Sequence, residues 1–200
     1  DKLCEHRFTA LGMEDVALGK KIPWHRDPVL QVEAPRIPAH RLDYRDVGRV
    51  GEAKNIWEIN RHQHLPLLAL ACLLTRKERY AREVRRQMED WIHENPYRIG
   101  INWTSALECG LRLISWSWAF FLLRAAGHGE PPDGLASALG EHCGFVHRNF
   151  SRYSSRGNHL IGEAAGLYIA SLLFAREPYR LRWLQDACAV LTGEILEQVL

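Results

Sequence analysis

The feature that most constrains this sequence is an alternation: a strongly apolar helical stretch, then a short link, then a helical stretch carrying more charge, three times over. The apolar stretches "LPLLALACLL", "ALECGLRLISWSWAFFLL" and "LIGEAAGLYIASLLF" follow Asn55, Asn102 and Asn158, at intervals of roughly fifty residues. Segments such as "KERYAREVRRQMEDW" and "YRLRWLQDACAVL" are mixed enough to cover them from outside. The links "TRKE", "GHGEPPDG" and "AREP" are short, which makes each pair an antiparallel hairpin. Helices are expected at about 55–74, 77–94, 103–126, 134–150, 158–174 and 178–200. The chain is therefore all-α, with three inner helices backed by three outer ones. A curved array of such hairpins is an (α/α) toroid or a helical solenoid, and the pattern alone does not choose between them.

Residues 1–53 differ from the rest. Pro23, Pro28, Pro35 and Pro38 interrupt short mixed segments, the signature of an extended N-terminal arm laid over a helical domain that runs from 54 to 200. Hydrophobic residues make up 46% of the chain and charged ones 25%, which excludes disorder. The 26 Lys and Arg are dispersed among 24 Asp and Glu, so no basic block suggests a nucleic-acid partner. "LISWSWAFFLLRAAG" is interrupted by serines and Arg124 and reads as a buried helix rather than a membrane span. The five cysteines have no CxxC spacing and are read as mostly buried thiols. No metal or cofactor motif occurs: His62 and His64 are too close to share a helix face, and HExxH, GxSxG and glycine-rich phosphate loops are absent.

Polar residues gather where the inner helices begin: "KNIWEINRHQH", "GINWTSALECGLR" and "RGNHLIGE". If these helices run in one direction, their N-termini meet at one end, and their unpaired N–H groups and dipoles favour an anion there. Glu58 with His62, and Glu108 with Arg112, are four apart and are expected to orient or neutralise one another. Trp57 and Trp103 are flat plates suited to sugar rings or, equally, to a core.

The stretches "IWEINRHQHLPLLALACLLT", "NPYRIGINWTSALECGLRLISWSWAF" and "SSRGNHLIGEAAGLYIASLLF", in this order and spacing, resemble the N-terminal helical domain of the heparinase II/III-like polysaccharide lyases. The resemblance extends into the arm through "FTALG" and "IPWHRDP". It implies an incomplete (α/α) toroid, an acidic, uronic-acid-containing polysaccharide as substrate, and β-elimination without a cofactor. It places the carboxylate-neutralising asparagine at Asn158 with His159 in support, and groove lining at Glu58, Asn60, Arg61, His62 and Trp103, with Arg156 beside them. The family's catalytic tyrosine and the histidine of its β-sandwich have no counterpart before Leu200, so proton transfer is expected from outside these residues. A bacterial periplasmic or secreted setting follows by the same resemblance. Two other readings remain open: a toroid glycoside hydrolase using Glu58, Glu108 or Glu163, and a non-catalytic scaffold binding a glycan or protein.

Overall fold

The computed structural model describes residues 1–153, 157–173 and 179–199. Among these residues two short strands, β1 (Arg7–Ala10) and β2 (Met13–Ala17), precede eight α-helices: α1 (Val47–Val50), α2 (Ala53–Asn60), α3 (His64–Thr75), α4 (Glu78–Glu94), α5 (Ala106–Ala125), α6 (Leu135–Arg148), α7 (Asn158–Leu173) and α8 (Arg180–Val199). The three hairpins are α3/α4, α5/α6 and α7/α8, and α5 packs against both α3 and α7. By length and composition α5 could cross a membrane, yet Cys109, Leu113, Trp116 and Ala119 are all fully enclosed, as befits the central helix of a packed core. The outer helix α4 forms because its apolar residues recur on one face: Tyr80, Ala81, Val84, Met88 and Trp91 are buried while its arginines face outward.

The inner helices share a direction. Leu107 lies against Gly162, and Gly110 against Glu163 and Gly166, so α5 and α7 run parallel. In α4, Arg85 reaches the His128 carbonyl beyond the end of α5, whereas Trp91 meets Trp103 ahead of its start. α4 is therefore antiparallel to α5, which gives α3 the direction of α5. The α5–α7 crossing depends on missing side chains: a Cβ on Gly166 would fall on the Gly110 carbonyl, 2.7 Å from its carbon, where only backbone could yield. Gly166→Ala is expected to cost about 3 kcal/mol by forcing these helices apart, measurable by urea unfolding; a loss below about 0.5 kcal/mol would mean that the crossing is loose.

The helix expected over 55–74 is two helices. Its periodicity continues through Arg61–Gln63, but His62 adopts a left-handed backbone (φ 58°) and α3 starts afresh at His64. Pro66 is the physical reason. It has no N–H for the carbonyl four residues back, and its ring would crowd that turn, whereas a place in the first turn of α3 costs it nothing.

The arm is more structured than its prolines suggest. β1 and β2 pair antiparallel through the two-residue turn Leu11–Gly12, and Phe8 and Met13 enter the core. The segment "IPWHRDP" then keys the arm to the helices. Buried Asp27 accepts hydrogen bonds from the backbone N–H groups of Val29 (2.8 Å), Leu30 (3.2 Å) and Glu52 (2.7 Å) and from the Asn55 amide (3.2 Å). Trp24 donates its indole N–H to Asp90 at 2.7 Å, and its carbonyl accepts from both Asn60 and Asn102 at 3.0 Å. Among the described residues no disulfide forms; Cys72, Cys109 and Cys143 are buried, and Cys188 is exposed.

Candidate functional site

Where α2 ends and α5 and α7 begin, a groove of about 530 Å³ opens. Trp57 and Arg61 come from α2, Thr104, Ser105 and Glu108 from the start of α5, and His159 from the first turn of α7. The arm adds Tyr44 and Leu11, and the end of α6 adds Phe145, Asn149 and Ser151. Parallel packing of α5 and α7 thus brings two helix N-termini to one opening, where their N–H groups favour negative charge.

Arg61 spans the floor. Its Nε and Nη2 donate to the two carboxylate oxygens of buried Glu108 at 2.8 and 2.9 Å, and its Nη1 to Glu58 at 2.5 Å. One cation between two carboxylates leaves this part of the floor with a formal charge of −1 rather than an open positive pocket. The pairing also corrects the expected spacing rule. Glu108 does not pair with Arg112, nor Glu58 with His62, because the chain reversal after Asn60 swings Arg61 into reach of both carboxylates. Trp57, half-buried, presents an aromatic wall with Tyr44 5.2 Å away, and its indole N–H is fixed on the Ile101 carbonyl at 3.1 Å.

Asn158 and His159 are exposed at the start of α7, with His159 on the groove wall. One turn further in, Glu163 is buried and accepts from the Ser151 N–H (2.7 Å) and hydroxyl (2.6 Å), which ties the segment after α6 to the first turns of α7. Burial pushes its carboxyl above the usual range against the pull of those two bonds. Arg156 lies outside the described residues.

Three residues expected to line the groove lie beneath it instead. Asn60, His62 and Trp103 are buried, and the hydrogen bonds they make are internal, with only Nε2 of His62 unpartnered among their side-chain polar atoms. Asn60 donates to the Trp24 and Ile56 carbonyls and accepts from the Trp91 indole at 2.6 Å. His62 Nδ1 accepts from the Trp116 indole at 2.6 Å, and Trp103 donates to the Asn95 carbonyl at 3.2 Å. Asn, His and Trp are as useful for satisfying a polar core as for touching a sugar, and a local sequence window does not tell the two apart. The corner Asn60–Arg61–His62 points in, out, in, so only Arg61 reaches the groove.

At the centre of this layer is Arg112, fully buried. Its guanidinium donates to the Asn60 carbonyl (2.9 Å), the Asn102 carbonyl (3.0 Å) and His142 Nε2 (2.9 Å), and lies 4.2 Å over the Trp91 ring. His142, on the outer helix α6, is thereby drawn into the core. Leu11 and Tyr44 carry no recognisable motif, and only the folded chain brings them to the site.

The buried histidines predict how the protein responds to acid. Desolvation, reinforced by neighbouring His64, Arg112 and His142, holds His62 well below the ordinary histidine range. Burial and Arg112 do the same to His142, and burial takes His64 to about 4 against the opposing bond from Gln87. The unfolded chain protonates these residues near pH 6.5 while the folded chain does not, so their contribution is complete above that pH and is lost as pH falls below it. His6, raised by its bond to Glu83, and Glu163 act in the opposite sense. Between pH 7.5 and 5.5 His62, His64 and His142 together withdraw about 4 kcal/mol, and buried His25, also lowered by desolvation, acts in the same direction; the result is a fall in melting temperature of roughly 10 °C by calorimetry, and an unchanged melting temperature would show that they are charged in the folded state.

Among the described residues, no group of three or more His, Cys, Asp or Glu is arranged to hold a metal ion. A family sequence profile described as heparinase II/III N-terminus matches residues 1–200. A curated heparin-sulfate lyase of Pedobacter heparinus is 28% identical over 152 residues, covering 72% of this chain and 22% of that protein. The crystal structure of heparan sulfate lyase HepC from Pedobacter heparinus superposes with a TM-score of 0.76 at 24% identity, over 100% of this chain and 29% of that one. A heparinase III structure, the BT4657 gene product, gives 0.75 at 21% identity, over 100% of this chain and 31% of its own. The chain thus spans less than a third of the length of each of these relatives.

Proposed function

The chain belongs to the heparinase II/III N-terminus family, and on that footing we propose that it is the glycan-holding helical portion of a polysaccharide lyase acting on a uronic-acid-containing glycosaminoglycan of the heparan sulfate type. In this reading residues 54–200 are part of an incomplete (α/α) toroid, and residues 1–53 are the arm that closes one side of its groove. The observation that carries the proposal is the meeting of the α5 and α7 N-termini at a groove walled by Trp57 and Tyr44.

β-Elimination removes the C5 proton beside the uronate carboxylate, forms the C4–C5 double bond and breaks the C4–O bond, with a proton delivered to the leaving oxygen. Its difficulty is the negative charge that grows on the carboxylate as the proton departs. A preorganised donor at that carboxylate lowers the barrier. Asn158, exposed at the first turn of α7, has the amide for this task, with His159 beside it and the helix N-terminus adding its dipole. Arg61 is engaged by Glu58 and Glu108, so its part is to fix α2 against α5 and shape the floor. The proton-transfer groups are not assigned to residues of this chain.

Hydrolysis by two carboxylates is disfavoured by the same geometry: Glu58 and Glu108 share one arginine, and Glu163 is buried on Ser151. Digestion of heparan sulfate by the protein, followed by the ultraviolet absorbance of unsaturated uronate, separates the two chemistries. Elimination yields that chromophore with every cleavage; new reducing ends without it would mean hydrolysis.

A further inference from the structure

Leu11 sits where neither folding nor burial explains a leucine. It occupies the first of two central positions in the β1–β2 turn, with φ 50°, and Gly12 follows at φ 78°. A two-residue turn with both central residues left-handed ordinarily takes Asn, Asp or Gly, because a larger side chain crowds the following carbonyl. The side chain recovers little by packing, since Leu11 is 58% exposed. The turn is nevertheless held in place. Phe8 and Met13 are buried at its base, the Phe8 ring meets His64 edge-on at 4.7 Å, and Arg7 pairs with Asp15 at 2.6 Å. What Leu11 does have is a position on the groove, which it lines with Tyr44, Trp57 and His159.

Strain retained at an exposed position beside a candidate site points to a role in that site. We propose that Leu11 is a specificity-determining rim residue: it presses on the apolar C–H face of one pyranose ring of the bound oligosaccharide, whose other edge rests on the Trp57 and Tyr44 wall. A polyanion held by charge alone would need only cations and helix N-termini. An apolar rim adds recognition of the ring itself and makes the groove select sugars over other polyanions. This rests on the reading of the groove as a glycan site.

The test compares the wild-type chain with Leu11→Asn, Leu11→Gly and Leu11→Met, using a size-defined heparan sulfate oligosaccharide as the probe in titration calorimetry, with melting temperatures in parallel. Asn and Gly relieve the left-handed strain, so both are expected to raise the melting temperature by roughly 2 °C while weakening the probe about tenfold. Met restores an apolar contact and should bind within about threefold of wild type. A melting temperature that rises without any change in affinity overturns the rim role and leaves the groove reading standing. A melting temperature that falls together with affinity shows that Leu11 merely holds the hairpin, and also overturns the proposal. Failure of the wild-type chain to bind the probe overturns the groove reading and the rim role with it.

Discussion

Arg112→Ala is expected to cost about 5 kcal/mol, enough to unfold a domain of ordinary stability at ambient temperature. The reason is the number of groups that depend on one buried guanidinium. Its loss leaves the Asn60 and Asn102 carbonyls and His142 Nε2 without their donor, uncovers the Trp91 face and opens a cavity in the core. Burying a charge has its own cost, visible in the way desolvation pulls the Arg112 pKa down, and removal of the charge returns part of it. That return is smaller than the loss because two carbonyls, an imidazole and an aromatic face surround the cation, and each is left unsatisfied or exposed to a void. Arg112→Met separates the two contributions. It fills most of the volume but leaves the carbonyls unpaired, and should cost about half as much. Urea unfolding of the three proteins checks the order; an alanine variant within about 1 kcal/mol of wild type would mean that the polar layer beneath the groove is not what holds the inner helices.

The second large effect is on turnover. Asn158→Ala is expected to lower the rate of unsaturated-uronate formation by about a thousandfold, the magnitude seen when a single preorganised donor to a developing anion is removed. Stability should change by no more than about 1 kcal/mol, because the side chain is exposed at a helix start. That contrast sets Asn158 apart from the buried residues nearby, where activity and fold fail together. Initial rates and melting temperatures measured on one preparation supply both numbers. A variant that keeps a tenth or more of the rate would remove Asn158 from the reaction.

The helix pairs were legible because an apolar stretch followed by a charged one can be buried in only one order, and α3/α4, α5/α6 and α7/α8 follow that order. The break at His62 was not, although Pro66 four residues later carries the signal: continuing the helix would have required a hydrogen bond that proline does not make. The β-hairpin is not legible in the sequence because its turn bears a leucine in place of the residues that announce such turns. Of the groove, Trp57, Arg61 and His159 could be read from the clusters at the helix starts. Asn60 and His62 belong to those same clusters but point inward because a helix followed by a sharp reversal alternates its neighbours between core and surface, and Trp103, in the single turn ahead of α5, is held inward on the Asn95 carbonyl. Tyr44 and Leu11 arrive from the arm, distant in sequence; Asp27 and Trp24 fasten the middle of the arm to the helices, and buried Phe8 and Met13 seat the turn that carries Leu11.

The proposed function turns on where a uronic-acid oligosaccharide binds. A crystal structure of the protein soaked with a heparan sulfate tetrasaccharide measures this directly. The account requires a uronate carboxylate at the N-terminus of α7, within hydrogen-bond reach of Asn158, and a pyranose ring between Leu11 and the Trp57–Tyr44 wall. A tetrasaccharide bound elsewhere on the surface, with this groove empty, would contradict it.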